Sequence, residues 1–421
     1  MTSNLRTHQQ IGDAMTCNRS QVQLRSFAAR FLASITLGLL AVPSHAQTPA
    51  AGEPIKIGVI AALSGPLVGY GQSLFDGVKM AVDQANAQGG VVIKGVRHPV
   101  QLVERDNRSD VNASVAAATS LVRDNGIKFI IGPATGFEIA SAVEITQRAK
   151  VIHLSSAAIL QSMLTKENVE PIAGNRRHLF MMQTPSPQRE ILTIKMSMKY
   201  LGAPVKQAVI VSNDSNGDFI GKNVEDAIVQ SGVTLILPKV QYQPGTTDYS
   251  SYLTKIRDAK PDHLNVWWLP TDSINILQQA RQLNVAKSYF TFGAEPADVL
   301  QRIPDIDNVL IACGPLCRNS SSTPAITAFW DRYTKFIGPS AKFGASSGGA
   351  AWYYDGARML LNAMQVAGSI DNTDAIAAAM VTAPFTGTLG PIKFDERHLA
   401  QSGFDFCFLS KGKATCEFVS P

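Results

Sequence analysis

No apolar run in this sequence is long enough to cross a bilayer comfortably; the longest, Phe31 to Val42, falls short of the ~20 residues a helical span needs. There is no G-x-x-x-x-G-K-[ST] phosphate loop, no G-x-G-x-x-G after the first strand and no cysteine–histidine zinc spacing, so nothing in the motifs calls for a nucleotide, metal or other cofactor. Charge is scarce, with 17% charged against 45% hydrophobic residues, which excludes the composition of a disordered chain. Cysteine is scarce too, at five in 421 residues. The length exceeds one ordinary core and points to about two or three domain-sized units.

The short apolar run has Arg25 and Arg30 before it and Ser44-His45-Ala46 after it. That is the plan of a cleaved secretory signal over residues 1–46, with maturation near Ala46 and Met15 as an alternative start. No cysteine follows the run to accept a lipid, so a free periplasmic protein is expected. Cleavage removes four arginines and Asp13 and lowers the formal charge from +5 to +2. The basic balance therefore belongs to the presequence, and no basic stripe remains to bind nucleic acid or an anionic membrane.

Cys17 leaves with the signal, and the remaining Cys313, Cys317, Cys407 and Cys416 are an even number in an oxidising compartment. The segment FDFCFLSKGKATCEFV reads as a hairpin turning at Lys411-Gly412, which sets Cys407 opposite Cys416 in a non-hydrogen-bonded pair with α-carbons about 4.5 Å apart. A disulfide tolerates that separation. Cys313 and Cys317 flank a Gly-Pro-Leu turn that brings them together. Zinc is the alternative for all four, without a histidine cluster to support it.

From Pro54 onward, short β-branched runs alternate with amphipathic stretches, the pattern of a parallel sheet with helices on both faces. IKIGVIA (55–61) is a buried strand, followed by a helix with Leu74, Val78, Ala81, Val82 and Ala85 on one face. VQLVERD (100–106), helix 110–125, KFIIG (128–132), helix 137–149 and KVIHLSS (150–156) continue the repeat. After QTPSPQ (183–188) it restarts with helix 189–201, QAVIVSND (207–214), helix 219–231, TLILPKV (234–240), helix 249–259, HLNVWWL (263–269), helix 273–283 and SYFTFG (288–293). Helical stretches at 325–336, 349–367 and 372–381 precede a closing strand and hairpin over 388–419.

In their order and spacing, these segments resemble the leucine/isoleucine/valine-binding type of periplasmic solute-binding proteins, which serve branched-chain amino acid ABC transporters. The carriers are IKIGVIAALSGPLVGYGQSLFDGVKMAVDQANAQGG, the strand end at Asp106, IIGPATG (130–136), VIHLSSAA (151–158), QARQLNV (279–285) and GPIKFDERHLAQSGFDF (390–406). The resemblance spans essentially the whole mature chain. It implies a type I fold: two Rossmann-like, doubly wound α/β lobes joined by three crossovers near 183–188, 312–317 and 388–392. The N-terminal lobe would hold 54–185 plus 315–390, the C-terminal lobe 187–312 plus 391–421. A monomer that binds a small molecule, an amino acid or related amphiphile, and docks on a membrane permease is the implied function, without catalysis.

Doubly wound sheets bind ligands at the carboxyl ends of their strands, so the loops there carry the candidates. Ser64, Gly65 and Tyr70 open the first helix, Gly136 and Phe137 the third, and Ser155, Ser156 and Ala157 follow a strand; backbone N–H groups at such helix starts suit a carboxylate, though ordinary capping uses the same residues. The resemblance implies that Glu295 takes the ligand's α-ammonium and that Phe219 covers the ligand. Trp267 and Trp268 alternate in direction, so only one, taken as Trp268, faces the cleft. Where amino-acid binders of this type place a serine and a threonine on the ligand carboxylate, this chain has Gly136 and Ile159. The expected cargo is a hydrophobic, branched-chain or aromatic amino acid, with an aromatic carboxylate or amide as alternative. A secreted sensor lobe is a further reading. GASSG (344–348), followed by Asp395 and His398, matches the order of a serine hydrolase around Ser346, but no apolar strand precedes the serine as that chemistry requires.

Overall fold

The computed structural model describes residues 52–156, 178–184, 186–202, 206–267, 270–318, 320–338, 349–395 and 397–420. Strands β1 (Ile55–Ala61), β2 (Val100–Asp106), β3 (Phe129–Ile131), β4 (Ile152–Ser155) and β5 (Leu179–Met181) form one sheet in the order β2-β1-β3-β4-β5. Every pairing in it is parallel. Strands of a two-sided sheet have no solvent face, and Ile57, Val59 and Ile60 of β1 are accordingly all inaccessible.

Helix α1 (Val68–Ala87) crosses from β1 to the sheet's edge with Leu74, Val78, Ala81 and Val82 buried, the face that its period marked out. The expected helix over 110–125 is divided: α2 (Val111–Thr119) is capped by Asp110, whose side chain accepts from the Ala113 N–H at 2.7 Å, and passes into a π-helical turn over Ser120–Asp124. Helix α3 (Gly136–Arg148) then leads to β4.

The second sheet repeats this winding. After α4 (Gln188–Leu201) come β6 (Lys206–Ser212), α5 (Ser215–Gln230), β7 (Val240–Tyr242), α6 (Ser250–Asp258), β8 (His263–Val266), α7 (Pro270–Gln282), β9 (Ser288–Phe292), α8 (Pro296–Arg302) and β10 (Val309–Ala312). The order is β7-β6-β8-β9-β10, parallel throughout, the same pattern of neighbours as in the first sheet. TLILPKV is not one strand. Thr234–Leu235 pairs β6 briefly and β7 starts only at Val240, because Pro238 between them has no N–H for a ladder. Helix α5 begins four residues earlier than its apolar pattern indicated, since Asp214 accepts from the Gly217 N–H at 2.8 Å and starts the first turn.

From β10 the chain returns to the first sheet. Helices α9 (Pro324–Ile337), α10 (Ala350–Ala367) and α11 (Thr373–Thr382) follow. Helix α10 lies so close to α1 that a Cβ on Gly77 would stand 2.3 Å from the Ala350 carbonyl oxygen. Tyr354 donates to Gln84 at 2.7 Å across the same contact. The chain then runs beside β5, where the Ala400 N–H donates to the Met181 carbonyl at 2.7 Å, and rejoins the second sheet as β11 (Phe404–Ser410) and β12 (Lys413–Val419). These last two strands are antiparallel, β11 on β10 and β12 on β11. Their turn places Lys411 at φ 49° and Gly412 at φ 70°, the left-handed pair that a two-residue hairpin requires, and it sets Cys407 opposite Cys416. The two cysteines are joined with α-carbons 4.0 Å apart, and Cys313 is joined to Cys317 at 4.9 Å.

Candidate ligand-binding site

A cavity with an empty volume of about 730 Å³, counting its open mouth, lies where strands of both sheets end. The first sheet reaches it through helix starts. Tyr70 and Ser73 of α1, Thr135 and Gly136 at the head of α3, and Ser156 just after β4 line one side. Thr135 is fixed from behind: its N–H and hydroxyl both donate to Glu138 Oε2, at 3.2 and 2.5 Å, while Asn107 donates to Glu138 Oε1 at 2.9 Å. Burial raises the Glu138 carboxyl above the ordinary range, and these hydrogen bonds oppose it.

Helix α10 adds Trp352 and Tyr353 in its first turn, with Gly349 ahead of them. Ser156 donates its hydroxyl to the Tyr353 phenolic oxygen, which ties the end of β4 to α10. On the other side stand Ile220 of α5, Phe292 and Gly293 at the end of β9, and Cys313, Gly314 and Pro315 after β10. Gln183 and Arg189, on either side of the first crossover, complete the wall.

Arg189 is 2% exposed. Its Nε donates to Glu190 Oε1 at 3.0 Å, its Nη2 donates to the same oxygen, and Ser186 donates to that oxygen at 2.9 Å. The guanidinium carbon lies 5.3 Å from the ring centre of Phe292 and 5.7 Å from that of Trp267. Phe292 and Trp267 are themselves stacked at 5.3 Å and 11°. This cation on an aromatic platform is held in one place by charge, stacking and burial together.

Of the residues expected at the site, Tyr70, Gly136 and Ser156 line this cavity. Ser64 and Gly65 do not: both are exposed, and Ser64 donates to Asp106 Oδ2 at 2.8 Å, closing its own loop against the end of β2. Ser155 is turned into the protein, where it donates to the Pro133 carbonyl at 2.5 Å. Phe219 is half-buried and packs on the core, while its neighbour Ile220 reaches the cavity. Trp267 is core, as alternation required of one of the two tryptophans. Ala157, Ile159, Trp268 and the Phe137 side chain lie outside what is described.

Glu295 stands apart from these lining residues. It is 1% exposed, does not line the cavity, and accepts the Arg318 N–H on Oε2 at 2.7 Å. Burial pushes its carboxyl up to about 8, against the pull of Arg318. The register after Gly293 turns the side chain toward the crossover at Cys317-Arg318, which sequence spacing cannot reveal.

The hydrolase order finds no support here. Ser346 lies outside the described residues, Asp395 is bound by Arg397 at 2.7 Å, and His398 stacks on Phe180 at 4.4 Å. Cys313, Cys317 and Cys407 come together with metal-like spacing, but the two disulfides occupy their sulfurs. The buried His153 is held neutral, its basicity lowered to about 4 by burial, with Nε2 2.6 Å from the Gly132 carbonyl oxygen; it positions a backbone turn.

Two doubly wound sheets whose parallel strands follow the same order, with a cavity where those strands end, define a two-lobed α/β binding-protein fold. The chain belongs to the periplasmic binding protein family, whose model matches residues 54–412. Leu/Ile/Val-binding protein homolog 8 of Brucella suis biovar 1 is 26% identical over 370 residues, covering 84% of this chain and 85% of the relative. Among solved structures, the branched-chain amino acid transporter substrate binding protein LivJ of Streptococcus pneumoniae, in complex with isoleucine, has a TM-score of 0.70 at 23% identity and covers 87% of this chain and 100% of its own. A solute binding protein of an R. palustris ABC transporter, in complex with benzoate, has a TM-score of 0.70 at 16% identity, covering 87% and 97%. The type I fold implied by the sequence is thus the fold found. No described helix is long and apolar enough to cross a membrane.

Proposed function

We propose that this chain is exported, cleaved near Ala46 and active as a free periplasmic monomer that captures a small, largely apolar organic molecule for the permease of an ABC importer. The lobes of this reading are 54–185 plus 315–390 and 187–312 plus 391–421. The ligand sits in the cavity at Tyr70, Gly136, Ser156, Arg189 and Phe292, and closure is favoured by contacts that it makes with both lobes at once. The observation that carries the reading is that the cavity's walls come from the strand ends of both sheets. Aromatic and backbone groups there supply contact area and hydrogen bonds, which suits binding. The ligands in the two similar solved structures, isoleucine and benzoate, bracket the chemistry: apolar bodies carrying a carboxylate.

The test is titration of the secreted protein, followed by tryptophan fluorescence and melting temperature, with amino acids, aromatic acids and their amides. A saturable response that is lost when Tyr70 and Phe292 are both changed to Ala is expected. No response across the panel would sink the proposal.

A further inference from the structure

We infer that the cavity selects small aromatic or branched carboxylates that lack an α-ammonium group, with Arg189 holding the carboxylate. This rests on reading the cavity as the ligand site. Among the described residues that line it, Arg189 carries the one formal charge, and none is an aspartate or glutamate. Glu190 grips the guanidinium through Nε and Nη2, leaving Nη1 without a hydrogen bond to any described residue. A buried guanidinium edge of this kind is a donor for an incoming carboxylate, and charge-assisted bonds of that type are among the stronger ones.

The helix starts reinforce the sign. Tyr70, Gly136 and Gly349 belong to the first turn or cap of α1, α3 and α10, so three positive helix ends meet at the same space as Arg189, itself in the first turn of α4. Glu190 makes the guanidinium's own pair neutral overall, and these helix ends supply the further balance that a ligand carboxylate needs.

An amino acid would bring an ammonium into the same space. Burying a cation without a partner is costly, and the acid expected to meet it, Glu295, is engaged with the Arg318 N–H instead. The walls of Phe292, Trp352 and Tyr353 favour a planar or branched apolar body, whose contact area needs no polar partner.

The test compares matched ligands on the intact secreted protein by calorimetric titration: 3-phenylpropanoate with phenylalanine, 4-methylpentanoate with leucine, and benzoate with benzamide. Each carboxylate is expected to bind at least about tenfold tighter than its partner. Arg189→Gln alone would strand the buried Glu190, so the variant is Arg189→Gln with Glu190→Gln, checked for folding by its melting curve. In it, carboxylate affinity should fall by more than about tenfold while any benzamide affinity is kept. Because the wild-type comparison does not depend on the variant, failure of the variant to fold leaves the inference open to refutation. Amino acids binding as tightly as their deaminated partners would overturn the inference and leave the ligand site standing, as would carboxylate binding unchanged in a folded variant. If none of the six compounds bound, the reading of the cavity as a ligand site would fall with it.

Discussion

Glu295 Oε2 accepts the Arg318 N–H at 2.7 Å, joining the end of β9 to the crossover that follows β10. Arg318 Nη2 in turn holds Asp298 at 2.6 Å, and Asp405, also raised by burial, lies near enough to add to the repulsion. The consequence is a pH dependence of stability. With its carboxyl raised to about 8 against an ordinary 4.5, Glu295 keeps its proton in the folded state over a range where the unfolded chain has lost it. Its contribution is fully present below the unfolded value and is lost as pH rises through about 8, at up to about 1.4 kcal/mol per pH unit. Glu295→Gln keeps the acceptor and removes the titration. Between pH 5 and pH 8 the wild-type melting temperature should fall more than the variant's; equal slopes would contradict the buried protonated carboxyl.

Ser156 and Tyr353 are 197 residues apart in sequence and bonded through their hydroxyls. Removing one hydroxyl takes a buried hydrogen bond from the other, at a cost of about 1 kcal/mol, while Ser155 and the Ser156 N–H still reach Tyr353. Ser156→Ala and Tyr353→Phe should each lower the urea midpoint, and the double variant should cost less than the sum. Additive losses would show that the two hydroxyls are not coupled in solution.

The Cys407–Cys416 bridge closes a separation of nine residues. Chain-entropy reasoning gives it about 2–3 kcal/mol. Changing both cysteines to Ser should lower the melting temperature and leave ligand affinity unchanged, because neither residue lines the cavity. The same change at Cys313 and Cys317 should alter affinity, since Cys313 does line it. Affinity that responds to the first pair and ignores the second would reverse this assignment.

Gly77 sits at a close approach of α1 to α10. A methyl there meets the Ala350 carbonyl oxygen at 2.3 Å, so one helix must move. Although alanine is the better helix former, Gly77→Ala should destabilise by about 1–3 kcal/mol. Denaturant titration would check it, and a more stable variant would mean the helices are not in contact.

Much of the fold was legible because its signals are local. The continuous apolar run Ile55–Ala61 and the 3.6-residue spacing of Leu74, Val78 and Ala81 each report burial within one element. Leu179–Met181 and Val309–Ala312 are too short to show a period, and Phe129–Ile131 and His263–Val266, equally short, are legible only from the strand–helix alternation around them. The candidate site was legible in part. Loops at strand ends led to Tyr70, Gly136 and Ser156, but Arg189, Gln183, Trp352 and Tyr353 sit in helices and a crossover without any such signal, and Phe292 ends a strand that was recognised for its core.

By itself the sequence determined the alternation of strand and helix, the export signal as an expectation, the hairpin at Lys411-Gly412 and the cysteine pair it aligns. These depend on residues near one another along the chain. Which side chains share the cavity was decided only by tertiary structure, because a crossover, a returning helix and a one-residue register choose among them over separations of a hundred residues or more. Arg189 came into the cavity and Glu295 was taken out of it by that packing, and with them the charge that the cavity offers its ligand.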